Sequence, residues 1–387
     1  MQAKAAISHA RDWRAALDEV LAATDLDGSP CDLALLFASA HHAAHYDELV
    51  PAARAESAAR HLLGCSGQGV IGPEREIEGE PALSLLRLAL PDVSLRLVYL
   101  TQHALEGGDV REACGVALDD VNAWLVLVDP FRMDPDRLVH ALEQAYPGVT
   151  IVGGLASGRS TDRATWVFLD DVVYDHGAVA VALGGNVVVR TVVSQGATPI
   201  GQPWTITGAH ENVLETIGGR PAYQVLVDTV QALEPEVQQR AVQNLLVGLA
   251  IDEYKDEFHR GDYLIRNLMG ADPQSGALAI GAYPRVGQTI QFQMRDADAA
   301  DEDLRELLAR AHHELGDARP VAAMLCSCNG RGAGLFGAPD HDARGLAREF
   351  GPVPVAGFFC NGEIGPIGGR AFLHGFTASM ALLLPRE

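Results

Sequence analysis

The sequence predicts a mixed α/β protein with two domains, a layered and pseudo-duplicated sandwich in which outer helices cover central mixed β-sheets. Its 387 residues exceed one ordinary core, because a domain takes about 150 residues. Continuous apolar runs, as at 33–37 and 124–128, are typical of strands covered on both faces, and helical patterns alternate with them. With 48% apolar and 21% charged residues, the composition excludes wholesale disorder.

The first half of the chain is predicted to consist of strands separated by helices and glycine-rich turns. Residues 1–30 are predicted to form a helical extension, because Trp13, Leu17 and Leu21 share one helix face before the break at 27–30. The further predicted elements are a strand at 33–37, a helix at 45–61, a strand entering the glycine-rich segment 64–72, strands at 82–90, 95–100 and 124–128, a helix at 134–145, a strand at 150–152, and β-rich chain from 166 to 206 with a hairpin turn at 184–186.

A domain boundary is predicted at Gly218-Gly219, where the pattern changes from β-rich to helical. This boundary divides the chain into an N-terminal domain at 31–218 and a C-terminal domain at 219–387. The predicted elements of the second domain are helices at 223–233 and 235–249, strands at 263–269, 277–283 and 289–294, a helix at 301–315, a strand at 321–326, a helix at 342–350, and strands at 353–359 and 377–384.

Two segments share one order of elements. The segment 33–91 runs strand, helix, strand, a Cys-x-Gly turn and a leucine-rich strand before proline, and 321–385 runs the same way. This echo predicts a duplicated α/β unit in which Cys65 and Cys360 occupy matching places.

The charge balance excludes some partners. Lys plus Arg is 29 and Asp plus Glu is 51, a formal net charge of −22, and such a surface repels nucleic acid. The N-terminus lacks a secretory apolar region, and the apolar runs are far shorter than the roughly 18 residues of a membrane span. Six sparse cysteines suit a reducing compartment. We therefore expect a cytoplasmic protein without membrane insertion.

Polar residues near the C-terminus are the leading candidates for a binding site. Asn361 and Glu363 follow a buried strand, and Arg331 follows the preceding strand of the same unit. Arg331 suits a carboxylate and Glu363 an ammonium, so the pair would fit a zwitterion. The alternative is that Arg331 and Glu363 pair with each other. With Ser66, these residues predict one cleft between the two halves, and Cys65, Cys328 and Cys360 lie beside them in sequence.

Two other chemistries stay open at this point. A thiol nucleophile is one, with Cys65, Cys326 or Cys360 as candidates for a Cys-dependent hydrolase or transferase. Haem binding is the other, through His41, His45, His61 or His374, since an i,i+4 pair such as His41 and His45 shares one α-helix face. We expect no resident metal or cofactor, with haem as the alternative, and we assign no catalytic residue.

Several motifs resemble the FIST (F-box and intracellular signal transduction) family. They are LLGCSGQGVIG, WLVLVDP and IVGGLASG in the first half, and VAAMLCSCNGRGAGLFG and GFFCNGEIGPIGG in the second, of which GEIGP is the most specific. The resemblance spans roughly 31–368 and implies FIST N-terminal and C-terminal domains. It also implies a sensory protein of bacterial signal transduction that binds a small ligand such as an amino acid. Its implied partner is a separate signalling protein, such as a histidine kinase or a cyclic-dinucleotide enzyme. A haem-based nitric oxide sensor is the implied alternative.

Overall fold

The computed structural model describes residues 1–159 and 163–386, which form two compact units. The larger unit comprises 1–193, 305–373 and the chain from 377 onward, and the smaller unit comprises 194–304 and 374–376. Each unit therefore draws on segments that are distant in sequence. The strands are β1 (Gln2–Ser8), β2 (Cys31–Ser39), β3 (Ala59–Gly67), β4 (Gly69–Gly72), β5 (Arg75–Glu78), β6 (Leu83–Ala89), β7 (Val93–Leu100), β8 (Ala123–Val128), β9 (Thr150–Leu155), β10 (Val167–Leu169), β11 (Val172–Tyr174), β12 (Ala178–Gly185), β13 (Val188–Gln195), β14 (Ala197–Pro199), β15 (Trp204–His210), β16 (Val213–Ile217), β17 (Arg220–Pro221), β18 (Leu245–Ala250), β19 (Tyr263–Asp272), β20 (Ala277–Ile280), β21 (Thr289–Arg295), β22 (Ala322–Cys328), β23 (Val355–Cys360), β24 (Glu363–Ile367), β25 (Arg370–His374) and β26 (Thr377–Leu384).

Helices connect many of these strands, and several begin at the side-chain caps expected of them. Asp12 accepts a hydrogen bond from the Ala15 N–H, and Asp134 accepts one from Arg137 ahead of the first-turn Pro135. The helices are α1 (Trp13–Ala23), α2 (Tyr46–Glu56), α3 (Gln102–Glu106), α4 (Val110–Cys114), α5 (Pro135–Ala145), α6 (Ala222–Gln231), α7 (Pro235–Gln243), α8 (Ala297–Leu315), α9 (Gly332–Phe336) and α10 (His341–Phe350), with short 3-10 helices at Ala40–His45 and Leu118–Asp120.

The larger unit contains three six-stranded sheets with one common strand order. Sheet 1 is β1-β6-β2-β3-β10-β11, sheet 2 is β7-β12-β8-β9-β24-β25, and sheet 3 is β13-β26-β22-β23-β4-β5. Each centres on a parallel pair joined by a helix: β2–β3 through α2, β8–β9 through α5, and β22–β23 through α10. The predicted mixed α/β class is confirmed, and the predicted duplication gains a third copy in sheet 2.

The three sheets exchange hairpins in a closed cycle. The β4–β5 hairpin follows β3 of sheet 1 but pairs with β23 of sheet 3. The β24–β25 hairpin follows β23 but extends sheet 2, and the β10–β11 hairpin follows β9 but extends sheet 1. Because every sheet is completed by chain from one other repeat, each repeat receives an edge hairpin from one of its neighbours and gives one to the other.

A shared core explains the unbroken apolar runs of the central strands. Side chains from all three sheets form one cluster, and within it the rings of Phe37 and Phe358 stack with centroids 5.0 Å apart. The opposite faces of sheets 1 and 2 are covered by helices: α1 and α2 on sheet 1, and α5 on sheet 2. Strands buried on both faces have no need of alternating polar residues.

One glycine recurs at the same place in each repeat, and close backbone approach explains it. A Cβ at Gly64, Gly153 or Gly357 would lie 1.8–2.0 Å from the carbonyl oxygen opposite on the neighbouring parallel strand. These glycines align the three repeats residue by residue. Cys65 then corresponds to Phe358, and the GVIGP at 69–73 corresponds to the GEIGP at 362–366. The predicted match of Cys65 with Cys360 is therefore wrong by two residues.

The structure changes three further element predictions in this chain. The helix predicted at 235–249 ends at Gln243, and β18 begins at Leu245, because a short apolar run suits a covered strand as well as a helix. The turn at 184–186 joins β12 of sheet 2 to β13 of sheet 3, so those strands form no hairpin. The first 30 residues contain β1, paired with β6, besides the predicted helix.

The smaller unit is built on an eight-stranded antiparallel sheet. Its order is β14-β21-β15-β16-β20-β19-β18, with β17 beside β16, and β18 also pairs with β21. That last pairing closes six of the strands into a ring. An apolar cluster that includes Ile206, Leu278 and Phe292 packs with α6 and α7 and forms the core of this unit.

Candidate functional site

The second strands of the three parallel pairs, β3, β9 and β23, are followed by chain that is tied together by hydrogen bonds. The Ser66 hydroxyl donates to the Ser157 carbonyl oxygen at 2.7 Å, and the Ser157 hydroxyl donates to the Phe359 carbonyl oxygen. The Asn361 side chain donates to the Ala156 carbonyl oxygen at 2.9 Å. Ser66 and Asn361 thus meet at one junction, where they bond to Ser157 and Ala156, two neighbouring residues that the sequence analysis did not single out.

A pair of thiols lies beside Glu363 at this junction. Cys328 and Cys360 end β22 and β23 and are register partners, so their side chains share one face of sheet 3. Cys360 Sγ lies 3.2 Å from Glu363 Oε1 and 3.2 Å from the Ser327 carbonyl oxygen. Cys328 also hydrogen-bonds the Glu363 carboxyl group. The two thiols and the carboxyl group form a compact set, which we call the dithiol–carboxyl site.

Glu363 is fully buried, and its surroundings favour the protonated acid. Burial raises the pKa of Glu363 to about 8, although hydrogen bonds from Cys360 and the Thr377 N–H and the charge of Arg331 oppose that rise. Burial also raises the pKa of Cys65, Cys326 and Cys360. Burial therefore favours the protonated form of these three thiols. A thiol nucleophile among them, as predicted for a hydrolase, would need a neighbouring group to take its proton.

Arg331 pairs with Asp342 rather than with Glu363. Its Nε and Nη2 each lie 2.8 Å from a carboxylate oxygen of Asp342, which also accepts hydrogen bonds from Ser327 and contacts His341. Burial alone raises the pKa of Asp342, but the charge of Arg331 and the hydrogen bonds hold it below its usual range. Arg331 is 1% exposed. The guanidinium is committed to this buried pair, and the zwitterion interpretation of Arg331 with Glu363 loses its cation.

Glu76 and Glu78 of the β4–β5 hairpin complete this buried network. Glu76 accepts a hydrogen bond from the Ala343 N–H at 2.8 Å, and Glu78 accepts one from Ala333 at the same distance. Burial, together with the charge of Asp342, raises the pKa of Glu76 above the usual range. Chain from the first repeat thereby anchors α9 and α10 of the third, a structural role for the carboxylates.

Two open grooves on the larger unit lie away from the predicted site residues. A groove of about 310 Å³ is lined by Arg190, Glu314 and Pro366 among others, and a wider one of about 540 Å³ includes Asp32 and Arg60. Neither is lined by Ser66, Arg331, Asn361 or Glu363, and all four of these residues belong to the larger unit.

The outer face of the ring in the smaller unit carries buried polar side chains. Gln291 and Gln293 are 6% and 1% exposed and alternate along β21 with the apolar residues of the core. Tyr263 Oη donates to Gln291 Oε1 at 2.5 Å, and Gln195 donates to the Tyr263 carbonyl oxygen at 2.8 Å. The Arg295 guanidinium lies 5.4 Å from the centre of the Phe376 ring. We call these residues the polar face.

Gln293 differs from its neighbours on the polar face. Its carboxamide makes no hydrogen bond with any residue that the structure describes, and its Nε2 is fully buried. The amide lies against Gly248, where a Cβ would be 2.7 Å from Nε2. Buried amides are almost always hydrogen-bonded in folded proteins, so this group is a candidate for a hydrogen bond with solvent or a ligand.

Comparisons with known proteins match nearly the whole chain. The FIST N domain matches residues 32–220 and the FIST C domain matches 222–366. The chain belongs to the FIST family. An uncharacterized protein of Mycobacterium tuberculosis H37Rv is 39% identical over 383 residues, 98% of each chain. Another, from Mycobacterium bovis, is 38% identical over 363 residues, 93% of this chain and 92% of its own. A cyanuric acid hydrolase structure from A. caulinodans aligns with 100% of this chain and 99% of its own, at a TM-score of 0.34 and 10% identity.

Membership in the FIST family assigns the chain a sensory role in signal transduction. The specific GEIGP motif of this FIST protein forms β24, and its glutamate is Glu363 of the dithiol–carboxyl site. No helix among the described residues is both long and apolar enough to cross a membrane.

The histidines proposed for haem lie at separate places in this FIST protein. His41 and His45 lie in the 3-10 helix Ala40–His45, where residues three apart share a face, so the predicted i,i+4 pair does not form. His45 stacks on Trp13, and His61 lies 3.4 Å from an oxygen of Asp170. His374 is buried in the smaller unit. No cluster of metal-ligating side chains occurs among the residues described.

Sequence reasoning missed Asp342, Ser157 and Gln293 as site residues. Asp342 carried a signal in the sequence, because it lies in the first turn of a predicted helix, beside His341. Gln293 gave no such signal, since glutamines that alternate with apolar residues along a strand predict one face exposed to solvent.

Proposed function

We propose that this FIST protein is a cytoplasmic sensor that binds a small carboxylate-bearing ligand, such as an amino acid, on the polar face of the smaller unit. The observation that supports this proposal is the buried carboxamide of Gln293, which has no hydrogen-bond partner among the described residues. A ligand oxygen would accept a hydrogen bond from Gln293 Nε2 and relieve the cost of an unpaired buried donor.

The charge of the polar face and the spacing of its donors favour a carboxylate. Arg295 and Gln293 lie two residues apart on one strand and so point to the same face of the sheet. A guanidinium and an amide donor at that spacing suit the two oxygens of a carboxylate. Phe376 and Tyr263 supply aromatic surface beside them, as ligand sites usually do.

Signalling would proceed through a separate partner protein, for which a histidine kinase or a cyclic-dinucleotide enzyme is the expected class. Ligand binding to the folded state stabilises it in proportion to the logarithm of ligand concentration.

The domain division proposed from the sequence, at 31–218 and 219–387, would place the polar face in the C-terminal FIST domain. Gln195 is the exception, because it would belong to the N-terminal domain.

The proposal is tested by mass spectrometry of small molecules released from the purified protein and by thermal shifts with the twenty L-amino acids. We expect at least one carboxylate-bearing molecule to be released or to raise the melting temperature. The Kd of that molecule for the Gln293→Leu variant should be about tenfold higher or more, the scale of a lost hydrogen bond to a charged group. The melting temperature of this variant without ligand should stay the same or rise, because an unpaired buried amide is removed.

The matched control is Gln243→Leu, an exposed glutamine of α7 in the same unit, which should leave binding unchanged. Two results would overturn the proposal. One is a protein that releases nothing and responds to none of the amino acids. The other is Gln293→Leu binding as tightly as the wild type.

A further inference from the structure

An internal comparison singles out the dithiol–carboxyl site. In the alignment of the three repeats, Glu363 corresponds to Val70 and Val167, which are both buried at 0% exposure, as Glu363 is. The fold therefore accepts valine at this place, and a buried carboxyl group there is costly unless it serves another purpose.

The thiols are also peculiar to the third repeat. Cys360 corresponds to Gly67 in the first repeat and Ala156 in the second, and Cys328 corresponds to Ser39 and Asp129. None of these counterparts is a thiol. At all three positions of the dithiol–carboxyl site, the other two repeats therefore carry side chains of a different chemical type on the same backbone.

The geometry allows the two sulfurs to bond. Register partners on neighbouring strands have Cα atoms about 4.8 Å apart, within the range of about 4.4–6.8 Å that disulfides span. Both side chains point to the same face, and both thiols hydrogen-bond one carboxyl group. Cys326 has Phe358 as its partner on β23, so no second thiol faces it across that pair.

Exposure assigns the two thiols different parts. Cys328 is half-buried and is followed by the half-buried Asn329, whereas Cys360 is fully buried. A reagent from solution reaches Cys328 first, and Cys360 can then attack only the sulfur of its neighbour. Glu363 lies within hydrogen-bond distance of Cys360. As the protonated acid it can pass its own proton on while it takes up the proton of Cys360, so it relays the proton.

We propose that Cys328 and Cys360 form a reversible disulfide centre that reacts with low-molecular-weight disulfides, with Glu363 as the group that relays the thiol protons. Cys328 sulfur attacks one sulfur of the small disulfide. The S–S bond of the small disulfide breaks, a mixed disulfide forms on Cys328, and the departing thiolate takes the proton from Cys328. Cys360 then attacks Cys328 Sγ and expels the second small thiolate, which takes the Cys360 proton by way of Glu363. Two protein thiols lose two electrons, and the small disulfide becomes two thiols.

Oxidised glutathione is the probe for the test, applied to the reduced 387-residue chain, which has six cysteines. After an acid quench and alkylation under denaturing conditions, we expect four alkylated thiols. Arg331 and Arg348 separate the tryptic peptides of Cys328 and Cys360, so a non-reduced digest should contain them as one cross-linked species. Cys326 shares the peptide of Cys328, so the digest is repeated on Cys326→Ser.

The variants for this test use residues that the other repeats already carry. Cys360→Ala, as at Ala156, should stop the reaction at a mixed disulfide on Cys328. Glu363→Val, as at Val70, should slow the cross-link at neutral pH by about a hundredfold or more, the lower end of the effect of losing an acid–base group, without lowering the melting temperature. Cys114→Ser removes a buried thiol outside the site and should leave the yield unchanged.

Three results would overturn the proposal. They are six alkylated thiols after prolonged exposure to the probe, a bond between Cys326 and Cys328 instead, and a wild-type protein that retains glutathione on Cys328. Equal rates in wild type and Glu363→Val would refute the part assigned to Glu363. Since no residue of the polar face takes part, these outcomes are independent of the proposed ligand site.

Discussion

Glu363 occupies the position in the β24–β25 hairpin that Val70 occupies in the β4–β5 hairpin. Val70 lies opposite Phe358 in sheet 3, and Glu363 lies opposite Gly154 in sheet 2. Phe358 and Gly154 are each the residue that follows the recurrent glycine of its strand. One backbone therefore holds a buried valine in one repeat and a buried acid in another. The glutamate of the GEIGP motif thus occupies a position at which the same backbone elsewhere in the chain holds valine.

Glu363 should make the stability of the protein depend on pH. Its pKa is about 8 in the folded state and near 4.5 when unfolded, so the folded state keeps a proton that the unfolded state releases. Its contribution to stability is full below about pH 4.5 and is lost as the pH rises toward 8, by up to about 1.4 kcal/mol per pH unit. Urea unfolding at pH 5.5 to 8 should show this fall in wild type and a flatter profile in Glu363→Val. Parallel profiles would contradict the assignment, and Glu314→Gln, an exposed acid, is the control.

Breaking the Arg331–Asp342 pair by removing one partner should cost more stability than breaking an exposed ion pair of the larger unit. Arg331→Ala leaves the Asp342 carboxylate buried without its cation and should lower the free energy of unfolding by about 3–5 kcal/mol. The double variant Arg331→Met with Asp342→Leu should lose less than Arg331→Ala alone. Lys4→Ala, which breaks an exposed pair with Asp27, should cost at most about 1 kcal/mol. Urea denaturation measures all three, and a loss for Arg331→Ala no larger than for Lys4→Ala would argue against the pair.

The recurrent glycines should each be intolerant of a methyl group. Alanine at Gly357 would place Cβ 1.9 Å from the Leu325 carbonyl oxygen, a contact that backbone must move to relieve. We expect Gly357→Ala to cost several kcal/mol or to prevent folding, as overpacking against backbone does. Gly334→Ala is the control, because no atom lies within 4 Å of a Cβ there. Melting temperature and soluble yield report the result, and equal values for the two variants would refute the close approach.

The hairpin cycle should transmit a local change from one repeat to another. Ile71 is fully buried in β4 and pairs with Gly357 of β23 in sheet 3. Ile71→Ala should lower the free energy of unfolding by about 2–5 kcal/mol. The segments whose amide exchange increases most should include β23, nearly three hundred residues away in sequence. Hydrogen exchange with mass spectrometry tests this expectation. Val172→Ala, at an exposed position of β11, is the control, and exchange increased only in chain next to residue 71 would contradict the cycle.

Local patterns predicted much of the larger unit because its strands are covered on both faces. The runs at 33–37 and 124–128 appear in β2 and β8, and the cap at Asp134 begins α5 where expected. The helix extended to 249 failed for a related reason: the apolar run of β18 has no period by which a covered strand differs from a helix.

The sequence by itself determined the fold class, the order of the parallel β-α-β units and the FIST family, since these depend on hydrophobic pattern and on short motifs. Only the tertiary structure decided which side chains meet. Arg331 binds Asp342 because α10 brings its N-terminus to the end of β22, and Cys328 faces Cys360 because the register of two parallel strands places them together. The third repeat became visible only in the pairing of β9 with β24 and of β3 with β10. Such pairing is set by strand register and by which sheet a hairpin joins, and neither is written in the local sequence.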